Sequence, residues 1–166
     1  MTPTNENIYL DSNFLVSYLV PNHDHSTGAG QMMSDLISNN NTLFYSPLTF
    51  SETLHGIVSE EKKQNPALTS PQVRQSDFYE DLKQFADILL AFPQTKLAQF
   101  TNPMQACSNS LEYIRDFNMK SADAFHVAYA LDLGIKYIVT NDGKFNQITS
   151  LNLVKVDFCL DSQTTN

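Results

Sequence analysis

The sequence predicts an α/β sandwich built on a mainly parallel sheet of five strands. Five short β-rich segments are spread along the chain, and segments with helical periodicity separate them. Strands that are joined through helices run parallel in such folds. The chain has 166 residues, of which 42% are hydrophobic, and this suits one compact domain over residues 1–166. We expect its core within about residues 8–156, with polar, frayed ends.

The chain opens with a predicted strand and two predicted helices. Residues 8–10 form a β-rich run that stops at a polar Asp-Ser-Asn triplet. Residues 14–20 carry apolar side chains at helical spacing and precede Pro21, which ends the pattern. Residues 30–38 carry a second helical stripe, and three asparagines end it.

The second strand is predicted over residues 42–46, directly before a proline. A helix follows, and Thr49 or Ser51 is the candidate for its N-cap. The helix runs into the charged residues 60–63, which form a solvated face. A connection rich in proline and polar residues comes next.

An amphipathic helix is predicted from Ser76 up to a proline that follows residue 92. Its apolar residues alternate at steps of four and three: Phe78, Leu82, Phe85, Leu89 and Phe92. We expect this stripe to belong to the core, with a dimer or partner surface as the alternative. A short third strand over residues 97–100 is predicted next. A helix over residues 103–117 follows, with Met104, Leu111 and Ile114 facing the interior.

The last part of the chain predicts a helix and two strands. The helix covers residues 121–133, with Ser121 as its candidate N-cap and Gly134 as its stop signal. Residues 137–140 form the fourth strand and residues 153–156 the fifth. The polar tail beyond them is expected to fray.

The composition limits the classes of protein to which the chain can belong. It carries 18 Asp and Glu against 10 Lys and Arg, a formal net charge of −8. This acidity argues against a protein that holds nucleic acid through a broad basic surface. Two cysteines exclude both a disulfide framework and a four-thiolate zinc site. The N-terminus does not resemble a signal peptide and no apolar run is long enough to cross a membrane, so we expect a cytoplasmic protein.

Four acidic residues stand at the ends of predicted strands or in the first turns of predicted helices. Asp11 follows the first strand and Asp142 follows the fourth, whereas Glu52 and Asp123 begin helices. Because ligands of parallel sheets collect beyond the carboxyl ends of the strands, we expect the four side chains at one sheet edge.

Clustered carboxylates predict a metal site. They repel one another and are costly to desolvate, so they protonate or recruit a cation. Their oxygen atoms suit Mg²⁺ or Mn²⁺, which also bind phosphate oxygens and activate water. The implied reaction is hydrolysis of a phosphodiester. The alternative for each acid alone is structural, since acids favour helix N-termini and turns.

Four motifs that contain these acids resemble those of the PIN-domain family, particularly the VapC-type toxins of prokaryotic toxin–antitoxin pairs. The first is Ile-Tyr-Leu-Asp-Ser-Asn at residues 8–13, and the second spans residues 45–56. The third is Ser-Ala-Asp-Ala-Phe-His-Val-Ala-Tyr-Ala at residues 121–130, and the fourth spans residues 139–145. The resemblance covers about residues 8–156.

This resemblance implies a three-layer α/β/α sandwich and cleavage of single-stranded RNA by metal-activated water, with Mg²⁺ or Mn²⁺ as the cofactor. It also implies homodimerisation and inhibition by an antitoxin protein. The metal-binding and catalytic residues carried over from the family are Asp11, Glu52, Asp123 and Asp142.

Further residues near these motifs are candidates for supporting roles. Ser12 and Thr140 are expected to hold a carboxylate or a water, and Asn13 to hydrogen-bond near the metal. Lys144 is a candidate phosphate contact, or else a solvated lysine. Residues 59–91 form a longer and more charged segment than a minimal member of the family needs. This departure from the family leaves the partner surface and substrate access open, but not the pocket.

The histidines are weaker candidates. His126 lies three residues after Asp123 on the same helix face, and we expect it to pack beside Phe125 and Tyr129, partly buried. A general base or a metal ligand is the alternative for this residue. His23 and His25 lie in a polar loop, where a surface metal site is the less favoured of two interpretations.

Other functions remain open on the sequence. An RNA-processing nuclease of the same family and a catalytically inactive PIN-like binding module are both alternatives. A phosphoaspartyl phosphatase or receiver domain would use Asp11 as a nucleophile. The dehalogenase-type pattern needs a second Asp where this chain has Asn13, and the adjacent acids of a receiver are absent.

Overall fold

The computed structural model describes residues 2–20, 23–74, 83, 86–87, 89 and 92–159. Its strands are β1 Asn7–Leu10, β2 Thr42–Tyr45, β3 Thr95–Leu97, β4 Tyr137–Val139 and β5 Val154–Val156. Its helices are α1 Ser12–Leu19, α2 Ser26–Ser38, α3 Pro47–Gln64, α4 Ser70–Arg74, α5 Pro103–Phe117, α6 Ser121–Asp132 and a 3₁₀ helix Gly143–Leu151.

The sheet has five strands in the order β3-β2-β1-β4-β5, and every neighbouring pair is parallel. The central strand β1 pairs with β2 on one side and with β4 on the other, so that Tyr9 lies opposite both Phe44 and Ile138. Along the chain, β2 and β3 are added on one side of β1, and β4 and β5 are then added on its other side, so the direction of strand addition reverses between β1 and β4. Ligand sites of parallel sheets form where the order reverses in this way, beyond the carboxyl ends of the strands.

Two apolar cores cover the two faces of the sheet, which confirms the three-layer arrangement. Ile8 and Leu10 belong to one core together with residues of α1 and α2. Tyr9, which points the other way in the pleat, belongs to the second core with residues of α6 and of the 3₁₀ helix. All three side chains are fully buried. A strand buried on both faces is continuously apolar, and this explains why β1 was visible in the sequence.

The start of α3 differs from the sequence-based prediction of a cap at Thr49 or Ser51. Ser46 is the N-cap: its Oγ accepts the backbone N–H of Thr49 at 3.0 Å, and its own N–H donates to Thr49 Oγ1 at 3.2 Å. Pro47 fits the first helical position, where its missing N–H needs no partner. Glu52 therefore lies in the second turn of α3 and not in the first.

Three other boundaries move for identifiable reasons. Helix α2 begins at Ser26, four residues before the predicted start, because the buried Ala29 extends its packing against the first core. Strand β3 begins at Thr95, two residues before the predicted 97–100, and ends at Leu97, because its register is set by pairing with β2. Ser121 is the first residue of α6 and not its cap, which is Lys120.

Helix α5 buries a different face from the one predicted. Met104 and Leu111 are 81% and 67% exposed, so the prediction that they face the interior is wrong. Ile114 packs against the second core, as predicted. The buried residues of α5 are Ala106 and Ser110, whose small side chains permit close packing against α6.

The predicted amphipathic helix that begins at Ser76 lies mostly outside the described residues, and so do Phe78, Leu82 and Phe85. Leu89 is described and buried; with Phe92 it lines a small apolar cavity of about 90 Å³. Among the residues that the structure describes, no helix combines the length and apolarity needed to cross a bilayer.

Candidate metal centre

Asp11 lies at the carboxyl end of the central strand and is 5% exposed. It caps α1, because its Oδ1 accepts the backbone N–H of Ser12 at 2.7 Å. Its Oδ2 accepts the hydroxyl of Thr140 at 2.8 Å. Burial raises the pKa of Asp11, while the charge of His126 and the two hydrogen bonds oppose that rise.

Thr140 joins the ends of β1 and β4. Its Oγ1 accepts hydrogen bonds from Asn13 Nδ2 at 2.9 Å and from the backbone N–H of Asp142 at 3.1 Å. With these donors in place, the hydroxyl proton is directed at Asp11. Ser12 and Thr140, which the sequence predicts beside the acids, therefore contact Asp11 directly. Asn13 contacts Thr140.

Asp142 caps the 3₁₀ helix that follows β4. Its Oδ1 accepts the backbone N–H of Lys144 at 2.8 Å. A backbone cap of this kind orients the carboxylate without fixing its second oxygen.

Asp123 lies in the first turn of α6 and carries an unsatisfied oxygen. Its Oδ2 is buried and has no hydrogen-bond partner among the described residues. Burial raises the pKa of Asp123, and the charges of Asp11 and Asp142 raise it further. The charges of Asp11 and Asp142 thus act on a carboxylate that has one buried oxygen without a partner among the described residues. A divalent cation would supply the missing partner, and the all-oxygen donor set fits Mg²⁺ or Mn²⁺.

Glu52 reaches this cluster from α3 and meets His126. The Glu52 Oε2 and His126 Nε2 atoms are 2.6 Å apart, and Nε2 is also 3.5 Å from Asp11 Oδ1. Ligand atoms of all three residues lie within 4.8 Å of one another. His126 is 1% exposed, so it is not the partly buried packing residue that the sequence predicts. The available signal was its position one helical turn beyond Asp123.

Glu52 and His126 shift each other's pKa values. The hydrogen bond from His126 lowers the pKa of Glu52, and this outweighs the opposing effect of burial. Burial by itself lowers the pKa of His126, but the Glu52 hydrogen bond and the charges of Asp11 and Glu52 together raise it. Because Nε2 faces only carboxylate oxygens, it carries a proton.

A cleft of about 360 Å³ opens beside the cluster. Its lining includes Ser12, Asn13, Glu52, His23 and Asn141. Apart from histidine, no basic side chain is among the described residues that line it. The cleft is therefore suited to hydrogen bonding with a polar ligand more than to charge pairing with a polyanion.

The polar loop that carries His23 and His25 does not gather metal ligands. The two rings are 5.8 Å apart, and His25 Nδ1 lies 3.6 Å from Cys159 Sγ. Among the described residues, the one group of three or more candidate ligands within 4.8 Å of one another is that of Asp11, Glu52 and His126, and it includes neither Asp123 nor Asp142.

The family model described as the PIN domain matches residues 8–151 of the chain. The fold is also found in solved structures at low sequence identity. The VapBC2 structure from Rickettsia felis, bound to a DNA fragment from its promoter, matches with a TM-score of 0.62 and 19% identity, covering 91% of this chain and 98% of that one. VapC20 of Mycobacterium tuberculosis, a toxin that cleaves the sarcin–ricin loop, matches with a TM-score of 0.59 and 13% identity, covering 90% and 98%.

A third structure, VapBC-1 from nontypeable Haemophilus influenzae, matches with a TM-score of 0.58 and 16% identity, covering 92% of this chain and 98% of that one. A search of curated proteins gave no significant match.

Proposed function

The chain belongs to the PIN-domain family, and we propose that it is a metal-dependent endoribonuclease that acts as the toxin of a toxin–antitoxin pair. The observation that carries the proposal is the buried Oδ2 of Asp123, which has no partner within the part of the chain that the structure describes and feels the charges of Asp11 and Asp142. An oxygen in that setting is costly unless a cation completes it.

Asp11, Glu52, Asp123 and Asp142 would hold one or more divalent cations, Mg²⁺ or Mn²⁺. When bound, such a cation supplies a water of lowered pKa and positive charge against the phosphoryl transition state. The residues around the acids keep them oriented: the hydroxyl of Thr140 and the N–H of Ser12 hold both oxygens of Asp11.

The neighbouring cleft would receive the RNA. Asn13 and Asn141 present amide groups that can hydrogen-bond to sugars, bases or phosphates of a single strand. Lys144 lies two residues after Asp142, and its charge lowers the pKa of Asp123. It is therefore the proposed phosphate contact, and a chain of net charge −8 would rely on few such contacts.

The antitoxin partner is proposed from the names of the relatives. Two of the matched structures are named as VapBC, and VapC20 is named as a toxin that cleaves the sarcin–ricin loop. We extend the names to the present chain and propose an antitoxin protein that covers the acidic site. The homodimer and the cytoplasmic location are further proposals, and the names of the relatives do not bear on them.

The alternative in which Asp11 is a phosphorylated nucleophile is disfavoured by its environment. Both of its oxygens already accept hydrogen bonds, and its side chain is buried. A nucleophile needs an accessible, unoccupied oxygen.

The test compares purified wild type with Asp11→Asn and Asp123→Asn on a single-stranded RNA in Mg²⁺ or Mn²⁺. Wild type should cleave the RNA, and both variants and an EDTA-treated sample should not. Glu112→Gln is the matched control, because it removes one exposed carboxylate of α5 and should retain activity. Cleavage that persists in EDTA, or in both variants, contradicts the mechanism. Growth arrest on expression, relieved by Asp11→Asn, separates a toxin from an RNA-processing enzyme.

A further inference from the structure

A buried chain of hydrogen bonds connects Glu52 to the beginning of its own helix through two other elements. Glu52 contacts His126 of α6, and His126 Nδ1 lies 3.0 Å from the hydroxyl of Tyr9 in β1. The Tyr9 hydroxyl donates to Ser46 Oγ at 2.7 Å and lies 3.0 Å from Thr49 Oγ1. Ser46 and Thr49 form the capping box of α3. We call the chain Ser46/Thr49–Tyr9–His126–Glu52 the histidine relay.

Glu52 differs from the other acids in how it is held. Asp11 and Asp142 each accept a backbone N–H at a helix start, so the main chain orients them. Glu52 has a longer side chain, lies in the second turn of α3 and is 32% exposed. Ordering a glutamate costs rotamer entropy, and the contact of 2.6 Å between its Oε2 and His126 Nε2 opposes that cost.

His126 lies behind Glu52 and not in the cleft. It is almost fully inaccessible, and it is not among the described residues that line the cleft, whereas Glu52 is. One ring nitrogen is paired with Glu52 and the other with Tyr9. A ring held at both nitrogens has a fixed orientation, and it transmits that orientation to the carboxylate it contacts.

We propose that His126, anchored by Tyr9, is a positioning residue that holds the Glu52 carboxylate at the metal centre. The proposal rests on the proposed function, since it assumes that Glu52 helps to bind the cation. His126 acts through Glu52 and does not itself coordinate the ion.

Single substitutions can remove individual contacts of the histidine relay. In His126→Gln the amide lies near the position of Nε2, so the contact with Glu52 is retained and the contact with Tyr9 is lost. In His126→Asn the amide lies near Nδ1, so the reverse holds. Tyr9→Phe removes the hydroxyl and keeps the ring. Tyr129→Phe is the matched control, because Tyr129 stacks on the Tyr9 ring but lies outside the relay.

The experiment titrates the metal-free full chain with Mn²⁺ by calorimetry, and thermal unfolding in EDTA confirms that each variant is folded. We expect His126→Asn to weaken Mn²⁺ binding by about tenfold or more, the usual cost of losing a group that orients a metal ligand. We expect His126→Gln to retain affinity within about threefold, Tyr9→Phe to lie between them, and Tyr129→Phe to match wild type.

Three results would overturn the proposal. The first is unchanged or tighter Mn²⁺ binding in folded His126→Asn. The second is equal loss in the Gln and Asn variants, which would indicate a general packing effect. The third is a directly coordinated nitrogen in the electron spin echo spectrum of bound Mn²⁺, which would make His126 a ligand.

If wild type binds Mn²⁺ and Asp11→Asn does not, failure of the relay leaves the proposed function standing. Absence of Mn²⁺ binding in wild type overturns both.

Discussion

The Nε2 atom of His126 lies 2.6 Å from the Oε2 atom of Glu52, although 74 positions separate the two residues in the chain. This contact joins α3 to α6 across the carboxyl edge of β1. It places one protonated nitrogen among carboxylates at a site otherwise built from oxygen atoms. The two groups therefore stabilise each other's charged forms, and this has consequences for pH.

The stability that the pair provides should depend on pH in a predictable direction. Glu52 has a lowered pKa, so its contribution is present above its ordinary value of 4.5 and is lost as pH falls through the lowered value. His126 has a raised pKa, so its contribution is present below its ordinary value of 6.5 and is lost as pH rises through the raised value. Both contributions coexist between these two ordinary values.

Urea unfolding of the metal-free chain in EDTA at pH 5.5 and pH 9 tests this, with His126→Gln as the reference. The difference in unfolding free energy between wild type and variant should shrink at the higher pH. The charge of His126 also lowers the pKa values of Asp11 and Asp123, so its interactions with these two acids belong to the same difference and are lost with the same proton. A difference that is constant or larger at pH 9 contradicts the assignment.

Replacing Asp123 by Asn should stabilise the metal-free chain while abolishing its activity. Asp123 has a buried oxygen that no described residue contacts by a hydrogen bond, and Asp11 and Asp142 repel its charge. A neutral amide of the same shape removes this repulsion, and sites that serve function commonly cost stability. Thermal unfolding in EDTA should show a midpoint higher by about 2–4 °C, roughly the effect of 1 kcal/mol in a chain of this size. Glu112→Gln, which removes an exposed charge, should leave the midpoint unchanged.

Mn²⁺ should raise the unfolding midpoint of wild type. At a free concentration of about 100 times Kd, a ligand that binds only the folded state contributes about 2.7 kcal/mol. This corresponds to a rise of roughly 5–10 °C. EDTA should reverse the shift, and Asp11→Asn should not show it. Equal shifts in wild type and Asp11→Asn would place the ion elsewhere on the protein.

Gly56 should be intolerant of alanine, because α3 and α1 approach closely at this residue. A Cβ at position 56 would lie 2.6 Å from Cγ2 of Val16, and valine has little freedom to rotate away. We expect Gly56→Ala to cost about 1–3 kcal/mol in urea unfolding. Gly30→Ala in α2 is the control, since nothing lies within 4 Å of its added methyl group, and it should stabilise by about 0.5–1 kcal/mol. Val16→Ala should rescue Gly56→Ala.

Lys144 should contribute to RNA binding through charge. Lys144→Met is expected to weaken RNA binding and to reduce the slope of log affinity against log salt by about 1. Lys62→Met, which removes a cation at the far end of α3, should leave that slope unchanged. Each lysine substitution is made in the Asp11→Asn chain, and filter binding of RNA at several salt concentrations measures the affinity and the salt slope of each. Equal slopes for the two lysine variants would exclude the contact.

Short stretches of the sequence predict much of the fold. The central strand is apolar from Ile8 to Leu10 because both faces of the sheet are covered there, and Gly134 stops α6 with its positive φ of 64°. Other features depend on partners that are distant in the chain. Met104 and Leu111 obey helical periodicity, yet α5 packs through Ala106 and Ser110 because α6 lies on that side.

The sequence alone predicts the order of the five strands, which the sheet confirms, and it places Asp11 and Asp142 after two of them. Those properties follow from apolar periodicity and from the rule that parallel strands present their carboxyl ends together. Helix α4 and the 3₁₀ helix were not predicted from the sequence. Only the tertiary structure decided that Glu52 and Asp11 share His126, and that Tyr9 and the Ser46 cap lie behind it. The reason is physical: a buried hydrogen bond requires donor and acceptor to meet within about 3 Å, and that meeting depends on how α3, β1 and α6 pack together.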